Sequence, residues 1–144
     1  MTERIIEYLP YKKPFLFVDR LQSVSEDGCI GYYTFKKEAY FYQGHFKDKP
    51  VTPGVLLTEC MAQIGVVCLG IYLINKTLGD LSSPQIALTS HQMDFFIPVL
   101  PGETVKVCSK KDVFRFNKLK CKVYMYNIEN ELVARGQISG MLSL

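Results

Sequence analysis

The chain has 144 residues, of which 48% are hydrophobic, so it can bury one sizeable core but not two comfortable ones. Its net charge of +3 is small and its basic residues are dispersed, which argues against nucleic acid as a partner. The 5 cysteines show no C-x-x-C spacing, so neither a metal site nor a disulfide framework is expected. We expect one domain over residues 1–144, free thiols and no cofactor. The N-terminus lacks the apolar core of a signal peptide, which favours the cytoplasm.

The first third of the chain predicts a short helix, two strands and a loop. Thr2 is a plausible N-cap for a helix through Tyr8 that Pro10 ends. A strand over Phe15–Val24, a turn over Ser25–Gly28 and a strand over Cys29–Lys36 follow. Residues 38–51 show no periodicity, and they include His45. We therefore expect His45 to lie in a loop.

A long apolar helix is predicted next, from Gly54 after Pro53 to about Asn75, with Gly79 just beyond its end. Its length approaches the roughly 20 residues that span a bilayer. Polar residues interrupt it at Thr58, Glu59 and Gln63, and a carboxylate at mid-membrane costs several kcal/mol. A helix buried on all sides inside the protein, with no membrane span, explains the same residues better.

The rest of the chain predicts strands in meander order. They cover Gln85–Phe96, Thr104–Phe116, Lys118–Ile128 and Leu132–Leu144. In the third of these, Lys118, Lys120 and Lys122 share one face while Leu119 and Val123 share the other. Strands before and after one apolar helix favour an α+β fold in which an antiparallel sheet wraps around that helix.

His45 and Glu59 are the candidate catalytic pair. Histidine exchanges protons near neutral pH, and burial raises the pKa of a carboxyl so that it can hold a proton there. A base and an acid in an apolar pocket suit removal of a proton beside a carbonyl together with protonation of a leaving group, which is the logic of a dehydration. Two plainer interpretations stay open: His45 as an ordinary polar loop residue, and Glu59 as an ion-pair partner of Arg20.

The start of the predicted helix offers further groups. Unpaired N–H groups at Gly54 could polarise a carbonyl or thioester oxygen, and a glycine allows close approach of a substrate. Val55 adjoins it as a candidate substrate contact. Gln63 lies four residues after Glu59, on the same helix face, where its amide could orient the carboxyl.

Three stretches, "LPYKKPFLFVDRL", "GHFKDKPVTPGVLLTECMAQIG" and "PVLPGE", resemble the signature motifs of the β-hydroxyacyl-[acyl carrier protein] dehydratases. The resemblance spans most of the chain in order. It implies the hot-dog fold, in which an antiparallel sheet wraps a long central helix, and a homodimer, often assembled as a trimer of dimers.

The same resemblance implies residue roles. The family's catalytic histidine falls on His45, its catalytic glutamate on Glu59, its thioester-polarising amide on Gly54 and its helical glutamine on Gln63. In the family the histidine and glutamate of one site come from opposite subunits. The expected reaction converts a 3-hydroxyacyl thioester of acyl carrier protein or coenzyme A into a trans-2-enoyl thioester, in fatty-acid or related polyketide synthesis.

Some residues depart from the family pattern. Tyr11 stands where the family usually has histidine, and Lys47 replaces a proline. The segment "MDFFI" (Met93–Ile97) occupies a place where the family tends to carry basic residues, although Lys47 and Lys49 could compensate in docking an acidic carrier protein. Two alternatives are therefore kept: a hot-dog acyl thioesterase, and a non-catalytic acyl-thioester-binding subunit with "MDFFI" as a partner contact.

Overall fold

An antiparallel sheet of six strands wraps around one long helix in the computed structural model, which describes residues 2–78 and 84–143. The strand order is β1-β2-β4-β5-β6-β3. The strands are β1 (Arg20–Ser25), β2 (Gly28–Thr34), β3 (Gln85–Phe95), β4 (Thr104–Arg115), β5 (Lys118–Tyr126) and β6 (Leu132–Ser143). The helices are α1 (Thr2–Glu7), a 3-10 helix (Tyr40–Gln43), α2 (Gly54–Ala62), a π-helical segment (Gln63–Cys68) and α3 (Leu69–Leu78). The predicted α+β architecture is confirmed.

The run from Gly54 to Leu78, here called the central helix, is continuous through its π-helical middle. That middle is buried on all sides, and a Cβ added at Gly65 would meet the Ser109 Cβ at 3.0 Å. A side chain at position 65 would press on the sheet, so glycine allows the helix and the sheet to approach closely there. The helix is long and apolar enough to cross a membrane, but 78% of its most apolar window is buried inside the fold. It is the core helix that the sequence predicts.

The sheet has an inner face against the central helix and an outer face. In β5 the side chains of Leu119, Cys121 and Val123 are fully buried, whereas the intervening lysines point away from the core. This is the predicted alternation, and it sets the two faces of the whole sheet through the strand register.

The strand predicted over Phe15–Val24 is wrong in its first half, because β1 begins only at Arg20. Residues 15–17 instead run along the central helix, where the Phe17 N–H and the Phe15 carbonyl bond to the Gln63 side chain. A side chain of the helix therefore takes the hydrogen bonds that a strand partner would have taken. The four later strands begin where predicted, but the predicted meander order holds only for β4, β5 and β6, because β3 pairs with β6 at the edge of the sheet. The central helix continues to Leu78, beyond its predicted end at about Asn75, and Gly79 lies outside the described residues.

Candidate active site

Glu59 lies in the second turn of α2 and is half-buried. Burial raises the pKa of its carboxyl, and a hydrogen bond from Gln63 acts in the opposite direction. Burial is the larger effect, because an ionised carboxylate loses solvation that one amide donor only partly replaces. Glu59 is therefore biased towards its protonated form, as an acid catalyst requires.

Gln63 holds Glu59 in place. Its Nε2 donates to Glu59 Oε2 at 3.0 Å and to the Phe15 carbonyl at 3.1 Å, while its Oε1 accepts from the Phe17 N–H at 2.8 Å. The side chain is 0% exposed, and both donor hydrogens are used. The amide cannot flip without losing these bonds, so it fixes the orientation of the Glu59 carboxyl.

The ion-pair alternative for Glu59 is wrong. Arg20 lies instead over the Tyr32 ring, 3.9 Å from its centroid, on the outer face of the sheet. The aromatic group near Glu59 is Tyr11, whose pKa is raised to about 12 by burial first and by the Glu59 charge second. Tyr11 therefore stays protonated at neutral pH, and its phenol lies within electrostatic reach of the carboxyl.

His45 follows the 3-10 helix in a tightly bonded turn. Its Nδ1 lies 2.8 Å from the Val51 carbonyl, and the Val51 N–H donates back to the His45 carbonyl at 2.9 Å. A carbonyl oxygen only accepts, so Nδ1 must carry the proton and Nε2 of the neutral ring is left with a free lone pair. The turn thereby selects the tautomer that acts as a base through Nε2.

A buried hydroxyl pair anchors this turn. The Tyr42 and Thr52 hydroxyls are hydrogen-bonded at 2.5 Å, and the Thr52 N–H donates to the Val99 carbonyl at 2.9 Å. On its exposed side, the Phe46 ring stacks on the His45 ring with centroids 3.9 Å apart. His45 is therefore half-buried and held from both sides.

The N-terminus of α2 presents two free backbone donors. Pro53 has no N–H, and the first N–H groups bonded within the helix are those of Leu56 and Leu57, which both donate to the Pro53 carbonyl. In the described part of the chain, no backbone acceptor is recorded for the N–H groups of Gly54 and Val55. They form a small electropositive site suited to a carbonyl oxygen.

Phe95 of β3 covers this helix start. A Cβ added at Gly54 would lie 3.4 Å from the Phe95 ring, and Val55 beside it is 75% exposed. Val55, Glu59 and Gln63 follow one another at intervals of four residues, so they line one stripe of the helix. The sequence did not reveal that Phe95, in the "MDFFI" segment, packs over Gly54.

The structure brings Glu59 and Gln63 into contact and places Gly54 and Val55 one turn before them. Within one chain, in the part described, no hydrogen bond or ion pair joins His45 to Glu59. The sequence also did not predict the hydrogen bonds between the backbone of residues 15–17 and Gln63, or the pairing of the Tyr42 and Thr52 hydroxyls. An aromatic-rich motif gives no signal that its backbone amides, rather than its rings, hold a helix side chain.

Solved structures with this architecture define the class of the fold. The dehydratase heterocomplex ApeI:P from Xenorhabdus doucetiae matches with a TM-score of 0.81 at 12% identity, over 97% of this chain and 91% of that chain. The E. coli PaaI protein matches with a TM-score of 0.60 at 14% identity, over 84% and 80%. The chain thus has the hot-dog fold.

The chain belongs to the FabA-like family, whose domain model matches residues 9–137. It is 35% identical to a 3-hydroxyacyl-[acyl-carrier-protein] dehydratase FabZ of Methylobacterium nodulans, over 96% of this chain and 86% of the relative. A FabZ of Wolinella succinogenes is 32% identical, over 99% and 95%. The predicted family is therefore confirmed.

Proposed function

We propose that this protein dehydrates 3-hydroxyacyl thioesters to trans-2-enoyl thioesters, with His45 as the base and Glu59 as the acid. The observation that carries this assignment is that the fold raises the pKa of Glu59, as suits an acid, and leaves a proton-accepting nitrogen on His45, as suits a base. Glu59 has a pKa raised by burial, and its carboxyl is oriented by Gln63. His45 is held in the tautomer whose Nε2 accepts a proton. The FabZ relatives carry the same activity in their names.

In the proposed reaction, His45 Nε2 takes a proton from C2 of the substrate. The electron pair forms the C2–C3 double bond as the C3–O bond breaks, and Glu59 protonates the departing hydroxyl to give water. Glu59 is then ionised and His45 is cationic, so the proton must return from His45 to Glu59 before the next turnover. Each acid–base group of this kind contributes about 10²–10⁴-fold.

The backbone N–H groups of Gly54 and Val55 would hold the thioester oxygen. Removal of the C2 proton places negative charge on that oxygen, and fixed donors at a helix N-terminus stabilise it without reorganising. Gly54 leaves room for the oxygen because it has no side chain. Val55, which is largely exposed, would contact the substrate beside it.

A homodimer completes the site in this proposal. β3 is an edge strand of 11 residues whose side chains are mostly exposed, and it contains no proline and only one charged residue, Asp94. Such an edge is open to pairing with a second strand. We infer that two copies pair through β3, so that His45 of one subunit meets Glu59 of the other. Three such dimers would give the trimer of dimers.

The carrier of the acyl group is proposed to be acyl carrier protein, with coenzyme A as the alternative. Lys47 and Lys49 are exposed in the turn that carries His45, where they could attract an acidic carrier. The names of the FabZ relatives specify a carrier-protein substrate. A cytoplasmic location is part of the same proposal.

Turnover of a 3-hydroxyacyl thioester tests the reaction. Purified protein is supplied with the carrier-protein and coenzyme A forms, and enoyl absorbance is followed together with thiol release. We expect enoyl product without thiol release, with a loss of 10²-fold or more in His45→Ala and in Glu59→Gln. Thiol release without enoyl product would make the protein a thioesterase, and no turnover with any chain length would make it a binding subunit.

Subunit mixing tests the composite site. His45→Ala and Glu59→Gln proteins are each inactive on this proposal, but a mixed dimer contains one intact site. After subunit exchange, mixing at equal amounts should recover roughly a quarter of wild-type activity, as random pairing places one intact site in half of the dimers. No recovery, with exchange shown by mass spectrometry of tagged subunits, would contradict the composite site.

A further inference from the structure

The outer face of the sheet carries an unusual concentration of cations. The strand register places on this face the side chains that alternate with the buried ones of each strand. The basic members, here called the basic face, are Arg20, Lys106, Lys110, Arg115, Lys118, Lys120, Lys122 and Arg135. Among the register-paired residues of the described strands, the one acidic member is Asp94, opposite Arg135. The fold therefore collects 8 of the 17 basic residues of the sequence on one surface.

Most of these cations face no carboxylate across the strands; the nearby acidic residues are Asp94, opposite Arg135, and the exposed Asp112 in the bulge of β4. No carboxylate within residues 2–78 and 84–143 forms a recorded ion pair with any of them; the recorded pairs use Lys36 and Lys76. Lys110 stands directly opposite Lys122, and Arg115 stands opposite Lys118. Like charges in facing positions are destabilising. The facing like charges therefore lower the free energy of unfolding, and binding to an anionic surface would reduce their repulsion.

A second feature lies at one end of the basic face. The turn between β4 and β5 carries Phe116, which is 86% exposed, with the Arg115 guanidinium 5.6 Å from its ring centroid. Val113 and Met141, on the same end of the outer face, are 45% and 40% exposed. An apolar group projecting beside cations matches the boundary between lipid headgroups and acyl chains.

We propose that the basic face docks this protein on an anionic lipid surface, with Phe116 entering the boundary of the bilayer. Six strands spaced by about 4.8 Å give a face roughly 24 Å wide, which can contact many headgroups at once. Each lysine or arginine near such a surface contributes favourably, and one aromatic residue adds apolar contact. The two features together form a two-part anchor.

Other occupants fit the face less well. Stacking of successive nucleic-acid bases needs a row of open aromatic rings, but Tyr32 is covered by Arg20, Tyr124 and Tyr126 are half-buried, and the open ring of Phe116 lies at one end of the face. A second copy meeting this face would place its cations against the same cations. Neither objection applies to a bilayer of anionic headgroups.

Docking through the basic face would leave the candidate active site accessible. Glu59 belongs to the central helix, which packs on the inner face of the sheet. The surface that binds lipid and the groups that bind substrate therefore lie on opposite sides of the sheet. The proposal stands whether or not the dehydration is confirmed, because lipid binding needs none of the catalytic groups.

Vesicle sedimentation of the full chain tests the proposal. Vesicles of phosphatidylcholine alone are compared with vesicles that contain about one third phosphatidylglycerol, at about 0.05 M and about 0.5 M salt. We expect binding to the anionic vesicles only, and its loss at high salt. The double variant Lys110→Gln/Lys122→Gln should bind roughly thirtyfold more weakly, and Phe116→Ser a few-fold more weakly.

Matched variants distinguish binding through the basic face from a general effect of positive charge on the protein. Lys12→Gln/Lys13→Gln removes the same charge from an exposed segment off the basic face and should bind as the wild type does. Circular dichroism and turnover of a soluble thioester establish that all variants are folded. Equal weakening by both double variants, binding to neutral vesicles, or tighter binding to a single-stranded oligonucleotide than to anionic vesicles at equal salt would overturn the proposal.

Discussion

His45 and Glu59 lie in two regions of different construction. The turn around His45 is held by backbone hydrogen bonds to Phe41 and Val51 and by the hydroxyl pair of Tyr42 and Thr52. The region around Glu59 is held by one side chain, Gln63, inside an apolar helix. In the first region the fold sets which ring nitrogen of His45 carries the proton. In the second it sets the pKa of the Glu59 carboxyl.

That difference predicts different sensitivities. The His45 tautomer is fixed by one backbone carbonyl, so most side-chain substitutions nearby should leave it unchanged. The Glu59 pKa depends on burial and on one amide, so it changes when either is altered. Substitutions around Glu59 should therefore change the pH profile as well as stability, whereas substitutions around His45 should change stability and the rate.

Gln63→Leu should have the largest effect of these substitutions, because it removes the hydrogen bonds that hold the Glu59 region. It leaves the Phe17 N–H and the Phe15 carbonyl without their partners, at a cost of about 2–5 kcal/mol in the free energy of unfolding. It also removes the bond that lowers the Glu59 pKa, so the alkaline limb of kcat/KM should move to higher pH. Denaturant unfolding and a pH–rate profile measure the two effects.

Gln137→Leu is the control for this substitution. Gln137 is an exposed residue of β6, and no hydrogen bond is recorded for its side chain in the described structure. We expect a change within about 0.5 kcal/mol and an unaltered pH profile. A Gln63→Leu protein with the wild-type alkaline limb would show that Gln63 does not tune Glu59.

Gly54→Ala should separate substrate approach from stability. The added methyl would lie 3.4 Å from the Phe95 ring, an ordinary contact, so the melting temperature should hardly change. The same methyl would occupy the approach to the two free N–H groups, and kcat/KM should fall roughly ten- to a hundredfold. Gly44→Ala, where nothing lies within 4 Å of the added atom, is the matched control and should retain activity.

The sequence predicted the central helix and the meander of β4, β5 and β6, because period and turn residues are local properties, but it did not predict that β3 pairs with β6. It did not predict that residues 15–17 leave the strand to bond Gln63, since that depends on contact between segments more than forty residues apart. The packing of Phe95 over Gly54 and the existence of the basic face were not predicted for the same reason. Both arise only when the strand register is fixed.

Tyr42→Phe should loosen the His45 region moderately. The change leaves the buried Thr52 hydroxyl without the Tyr42 partner, at a cost of about 1–2 kcal/mol in stability. Because the Val51 carbonyl still accepts from His45 Nδ1, the tautomer should be kept and kcat should fall only a few-fold. A fall in kcat of about a hundredfold or more would mean that the hydroxyl pair, and not the carbonyl alone, positions His45.

The smallest effect expected is the pH dependence of stability in Glu59→Gln. The folded-state pKa of Glu59 is raised above its ordinary value of 4.5, so the folded protein binds a proton more tightly than the unfolded chain does. Stability from this group is present below that value and is lost as pH rises through the folded pKa. Glutamine cannot ionise, so the variant should melt at a higher temperature than the wild type at about pH 8 and lose that advantage at about pH 4. An advantage that is equal at both pH values would show that the gain comes from packing, and that burial does not raise the pKa of Glu59.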